Sequence, residues 1–132
     1  AYEGINPQCM SDNIKAELIY GEYVLDAKEN ALRNGLTNIG FFQGDSADFA
    51  KSTYGSIDFI TIDPPRQGCS EKMIKELLRI KPQRLVYVSC DPATLARDCG
   101  IFADLGYTAV KATPVDMFPG TGHVETVCLL SR

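Results

Sequence analysis

Apolar and polar positions along this chain change period several times, and each change predicts an element. Leu85, Val86, Tyr87 and Val88 form a short β-branched and aromatic run, the pattern of a central parallel strand. The run ends on Ser89-Cys90. Asp91-Pro92 follows, an N-cap residue and then a proline at the first helical position, where its missing N–H costs nothing. A helix is predicted from Pro92 to Leu105, with Gly106 as its stop. Ser56 to Asp63 alternates apolar and polar residues and runs into Pro64-Pro65, which end a strand. Ser70 to Ile80 places Met73, Ile74, Leu77 and Leu78 on one helical face, a core pattern. Asp26 to Gly35 has capping-box spacing between Asp26 and Glu29, and Asn34-Gly35 supplies the break. Asn38 to Gln43 reads as a strand with a turn at Gly44-Asp45, and Tyr107 to Thr113 and Val124 to Leu130 as the last two strands. Strands alternating with helices indicate a doubly wound α/β sheet.

Composition narrows the class. A chain of 132 residues with 45% hydrophobic content is expected to be one domain with a proper core, not a disordered segment. No apolar run approaches the roughly 18 residues of a membrane span, and no signal-peptide pattern precedes the fold. Five cysteines without a C-x-x-C pair fit neither a disulfide framework nor a zinc site, so no metal and a reducing, cytoplasmic setting are expected.

Among those cysteines, Cys90 has the position with most chemical meaning. Open α/β sheets place ligands at the carboxyl ends of their strands, and the positive end of a helix dipole favours a thiolate. An isolated cysteine is otherwise most often an inert core thiol.

Three segments then carry a resemblance. Arg84 to Asp98, RLVYVSCDPATLARD, resembles the nucleophile motif of the RNA uracil-5-methyltransferases, which make 5-methyluridine in transfer and ribosomal RNA with S-adenosylmethionine. Ile62 to Cys69, IDPPRQGC, is similar to the family's Asp-Pro-Pro-Arg-x-Gly motif, and Asp116 to Val127, DMFPGTGHVETV, to its C-terminal motif. The three occur in the family's order, and the match covers about Asp26 to Arg132. It implies a Rossmann-like class I methyltransferase sheet, mostly parallel with an antiparallel last strand.

The resemblance also implies roles. Cys90 would be the nucleophile and Glu125 the general base. Asp63 would face the cofactor or the uracil edge, and Asp45 matches a position that contacts adenine. Arg66 would meet a phosphate or favour the thiolate. Phe118 and His123 would lie on the substrate side, with Phe118 offering a stacking surface for a flipped uridine. Each has a plainer alternative. Cys69 is the next candidate nucleophile, while Cys9, Cys99 and Cys128 read as structural. Glu125 alone reads as a solvent-facing strand acid, Asp45 as a turn residue, Phe118 as core. Arg66 could pair with Asp63 or Glu71 at the surface. His123 with Asp116 and a cysteine allows a weak hydrolase reading.

The N-terminal part departs from the family pattern. No Asp-x-x-Cys-Gly-x-Gly loop occurs in the first 25 residues. Tyr23 to Asp26 resembles the strand leading into that loop, yet the following residues resemble the helix after the family's second strand. Against the family pattern, roughly 35–45 residues holding the loop and a ribose-binding acid are expected to be absent near Asp26-Ala27, judged by the size of a βαβ unit. An internal deletion, an omitted loop or a diverged N-terminus would each explain it. The net charge of −4 is low for RNA binding, so RNA affinity is expected from a domain outside this chain. A non-catalytic module that keeps the fold without the cofactor loop is the competing reading.

Overall fold

The computed structural model describes residues 17–18, 23–52 and 57–132. The chain divides into two units, Ala1–Ser52 and Thr53–Arg132.

In the first unit, β1 (Glu17–Leu18) pairs in parallel with β2 (Phe41–Phe42), and α1 (Tyr23–Arg33) lies between them in sequence. Helix α1 starts at Tyr23, so the tetrapeptide expected as a strand is its first turn. Val24 and Ala31, seven residues apart, are both buried. That helical spacing outweighs the strand preference of Tyr23-Val24. Gly35, at φ +67°, closes the helix: its N–H donates to Leu32 O at 3.0 Å and the Leu36 N–H to Ala31 O at 2.9 Å. Helix α2 (Ser46–Ser52) was not foreseen from the pattern. It buries Ala47 and Ala50, and the N–H groups of Ala47 and Asp48 both donate to Asp45 Oδ1 at 3.0 Å. Asp45 is thus an N-cap rather than a simple turn residue. The strand predicted over Asn38–Gln43 shortens to Phe41–Phe42.

The second unit holds β3 (Phe59–Ile62), α3 (Glu71–Ile80), β4 (Arg84–Ser89), α4 (Pro92–Asp104), β5 (Thr108–Val115) and β6 (Glu125–Ser131). The sheet order is β3-β4-β6-β5: β3 and β4 are parallel, and β6 runs antiparallel to both β4 and β5. The last strand is therefore the antiparallel one, inserted between β4 and β5. Leu85, Tyr87 and Ser89 of β4 are buried while Val86 and Val88 are half-buried. Leu85 and Tyr87 join Ile62, Leu77, Leu95, Phe102, Tyr107, Cys128 and Leu130 in one core. Phe102 meets Tyr87 and Tyr107 edge-on at 6.5 and 6.1 Å, the geometry that aromatic quadrupoles favour. Helix α4 carries the predicted Asp91 cap, and α3 starts one residue later than expected because Ser70 is its cap. The Met73 N–H donates to Ser70 Oγ at 3.2 Å, and the Thr94 N–H to Asp91 Oδ1 at 2.9 Å.

The register decides where chemistry can gather. Ile62 pairs with Tyr87, Ser89 with Thr126, and Val115 with Glu125. The carboxyl ends of β3, β4 and β5 and the amino end of β6 therefore share one edge of the sheet. Among the described residues, no helix is long and apolar enough to cross a membrane, and no cluster of side chains could hold a metal ion.

Candidate active site at the sheet edge

Three loops leave that edge, and each carries one of the motifs. After β3, Asp63 is exposed and Pro64-Pro65 lead into a turn closed by the Gly68 N–H donating to Pro65 O at 2.7 Å. Arg66 and Gln67 occupy the corner of that turn. Arg66 reaches across to the third motif: its Nη2 lies 3.5 Å from His123 Nδ1. Accepting from Arg66 would require the imidazole proton to sit on Nε2. His123 meets a guanidinium, and among the described residues no hydrogen bond joins it to a cysteine, so the hydrolase arrangement lacks its base–nucleophile contact.

After β4, Ser89 is buried and grips the next corner. The Asp91 N–H donates to Ser89 Oγ at 3.1 Å, and Ser89 Oγ donates to Asp91 O at 2.9 Å. Cys90, half-buried, is the residue between them, immediately before the N-cap of α4. The Thr94 N–H, and more weakly the nearby Arg66 guanidinium, hold the Asp91 carboxyl below the ordinary carboxylate range. Arg66 thus links the turn after β3 to the β5–β6 loop.

Between β5 and β6, Met117 and Phe118 are 61% and 48% exposed. Thr121 fixes this loop, donating Oγ1–H to Phe118 O at 2.7 Å and accepting from the His123 N–H at 3.2 Å. Phe118 is thus outside the core. Glu125 is half-buried at the first position of β6.

Burial first, and the charge of Asp98 second, push the Cys69 thiol up to about 12, so it stays protonated at neutral pH. A protonated thiol is a poor nucleophile. Cys99 is likewise pushed up to about 12, by burial and then by Cys128, whose Sγ lies 3.9 Å away. Cys128 is part of the core. Cys9 and the residues where the glycine loop was sought lie outside the described residues, apart from Glu17, Leu18 and Tyr23–Leu25. Asp45 belongs to the first unit, and Asp63, Arg66, Cys90, Phe118, His123 and Glu125 to the second.

Sequence reading passed over Asp98, which is fully buried in α4. Its Oδ2 accepts from the Cys69 N–H at 2.8 Å and the Tyr87 hydroxyl at 2.7 Å, and its Oδ1 accepts from Arg97 Nε and Nη2 at 2.9 and 2.7 Å. A buried carboxylate persists only when its acceptor sites are met in this way. The signal was present in the pattern. Leu95, Asp98 and Phe102 are spaced three and four apart, so the acid sits in the helix's own apolar stripe.

Gly68 packs on this group. A Cβ there would stand closer than 3.0 Å to Arg97 Nη2, Asp98 Oδ2 and Thr94 Cγ2, at a φ of +89° that side chains rarely adopt. Gly68→Ala is expected to cost about 2–4 kcal/mol from strain and overpacking together. Urea unfolding of the two proteins checks this, and an unchanged midpoint would contradict it.

Comparison with known proteins agrees with this architecture. The family described as tRNA (Uracil-5-)-methyltransferase matches residues 47–132, more than half of the chain. A protein named uncharacterized RNA methyltransferase from Halalkalibacterium halodurans is 44% identical over 138 residues, 98% of this chain and 30% of its own length. One of the same description from Bacillus cereus is 44% identical over 140 residues, 100% of this chain and 30% of its own length. The chain thus spans about 30% of the length of the curated relatives it matches.

Among solved structures, the tRNA (uracil-54, C5)-methyltransferase of Pyrococcus abyssi, in complex with S-adenosyl-L-homocysteine, superposes with a TM-score of 0.73 at 33% identity, covering 89% of this chain and 28% of that one. The precorrin-6y C5,15-methyltransferase of Geobacter metallireducens shares the fold alone, with a TM-score of 0.64 at 13% identity over 89% of this chain and 67% of that one. The mixed sheet with its antiparallel β6 is the class I Rossmann-like methyltransferase sheet. Profile, relatives and fold converge, and the chain belongs to the tRNA (uracil-5-)-methyltransferase family.

Proposed function

We propose that the protein containing this chain methylates carbon 5 of a uridine in RNA, using S-adenosylmethionine and a covalent bond between Cys90 and the uracil. One observation carries the reading. The Asp63–Arg66, Cys90 and His123–Glu125 segments, far apart in sequence, leave the same sheet edge, with Arg66 in reach of His123.

Uracil carbon 5 is a weak nucleophile and must be activated. The Cys90 thiolate adds to carbon 6, and the electron pair of the 5,6 double bond moves into an enolate that makes carbon 5 nucleophilic. S-adenosylmethionine, when bound, supplies an electrophilic methyl group on its sulfonium sulfur. Once carbon 5 carries that methyl, Glu125 takes its remaining proton, the double bond re-forms and the thiolate leaves. The chain's own residues fit part of the cofactor's needs. Asp63 is exposed at the carboxyl end of β3 as an acceptor for an amino or hydroxyl donor, whereas Asp45, in the other unit, already accepts the Ala47 and Asp48 N–H groups.

The target base must leave its stack for a thiol to reach carbon 6. Phe118 and Met117, exposed in the β5–β6 loop, offer it an apolar surface, and Arg66 offers a partner for a phosphate oxygen. With a net charge of −4 here, most of the RNA affinity would come from the rest of the protein. The substrate on this reading is transfer or ribosomal RNA, and the setting the reducing cytoplasm. The test incubates the full-length protein with methyl-labelled S-adenosylmethionine and unmodified transfer and ribosomal RNA, then digests the RNA to nucleosides. Label in 5-methyluridine is the expected result; label in any other nucleoside, or none, would overturn the proposal.

A further inference from the structure

The group around Asp98 has a geometry that core packing alone does not call for. Asp98 takes the Cys69 N–H, while the neighbouring Arg97 donates Nη2–H to Gln67 O at 2.8 Å as well as pairing with Asp98. The two side chains thus hold the backbone on both sides of Gly68, the residue whose N–H closes the turn from Pro65. Gly68 has no Cβ there, and the space one would fill holds the carboxylate and guanidinium. Arg66 stands at the corner of this turn. The same carboxylate accepts from Tyr87, three residues before Cys90 on β4. One fully buried acid therefore connects the turn bearing Arg66, the strand leading to Cys90 and the helix that Cys90 precedes.

We propose that Asp98 and Arg97 form a bracket whose role is to position Arg66 for the RNA substrate at the sheet edge, an inference that rests on the methyltransferase reading above. Only Asp98 of this pair is buried, and a buried charge can often be replaced by an apolar residue without loss of stability. Its distinctive capacity is to fix geometry, and here the geometry fixed is that of the turn. Arg97 and Asp98 are positioning residues: they touch Arg66's turn, and Arg66 is the group offered to substrate.

The bracket makes a specific prediction about additivity. If it acts through Arg66, then removing Arg66 leaves it nothing to position. The experiment compares full-length wild-type protein, Arg97→Gln, Arg66→Ala and the double variant. The readout is the second-order rate of covalent attachment to RNA containing 5-fluorouridine, where the fluorine blocks the final proton removal and holds the adduct. The Arg97 side chain is 55% exposed, so its Gln variant keeps the test open where Asp98→Asn does not fold. Misplacement of a substrate-positioning group costs up to about 100-fold. Arg97→Gln is expected to lose about 10- to 100-fold, and the double variant to lie within about twofold of Arg66→Ala, the limit within which independent effects are normally resolved. Losses that multiply in the double variant, or an Arg97→Gln rate within about twofold of wild type, would reduce the bracket to a structural feature. Absence of any adduct on the wild-type protein would instead overturn the methyltransferase reading, and the bracket's role with it. Amide hydrogen exchange at Cys69 separates the two failures: it quickens in Arg97→Gln if the bracket holds the turn, whatever the chemistry.

Discussion

Glu125→Gln in the full-length protein is expected to divide the reaction in two and strand it between the halves. Gln keeps the shape of the side chain and can hydrogen-bond, but its amide cannot accept a proton at neutral pH. Addition of Cys90 to carbon 6 and methylation of carbon 5 need no proton removed, so both continue. Release of the thiol waits on loss of the carbon 5 proton, so methylated RNA accumulates on the protein. Positioned general bases contribute about 100- to 10,000-fold, and turnover should fall within that range. A denaturing gel run with methyl-labelled cofactor and unmodified RNA reads both quantities. Near-wild-type turnover without a trapped band would return Glu125 to the role of a strand-end acid, and His123, two residues away, would become the next candidate base.

The second large effect belongs to Cys90. A serine hydroxyl at this corner stays protonated at neutral pH and is a far weaker nucleophile than a thiolate, so Cys90→Ser should lose at least about 10,000-fold in kcat/KM, the scale on which removal of a covalent nucleophile acts. The corner itself should survive, because it is held by Ser89 Oγ and the Asp91 backbone, with the Asp91 cap on Thr94 beyond it. RNA binding in a filter assay should therefore change little. Turnover within about tenfold of wild type would exclude covalent catalysis by this residue.

Much of this architecture was legible from local signals. Asp91-Pro92 marks the start of α4 and Ser70 that of α3 because a cap is a chemical need of the first helical turn, met by a few residue types. Pro64-Pro65 ends β3 for an equally local reason. The errors fall where tertiary context outweighs such signals. Tyr23-Val24-Leu25 has strand character, yet it joins α1 because Val24 and Ala31 are buried at helical spacing. Helix α2 is seven residues long and rests on two alanines and one cap, too short for a periodic pattern to stand out. The insertion of β6 between β4 and β5 is a pairing choice that no run of residues encodes by itself.

The site was legible in a different way. Its candidate residues come from three motifs, and the loops that carry those motifs leave one sheet edge. The contact of Arg66 with His123 could not be read from spacing, since the two residues come from separate loops. Asp98 was hidden because a single acid on a helix ordinarily faces water. The surroundings of Cys69 weigh against it as a nucleophile: burial and Asp98 keep its thiol protonated.

The most direct test of the central claim is to incubate the full-length protein with S-adenosylmethionine and RNA carrying 5-fluorouridine, isolate the protein–RNA adduct, and identify the attached residue by mass spectrometry. Fluorine replaces the proton that the base must remove, so the covalent species cannot collapse. The account predicts an adduct on the peptide containing Cys90, with a methyl group on the bound base. An adduct on Cys69, or none from a protein that methylates ordinary RNA, would contradict it.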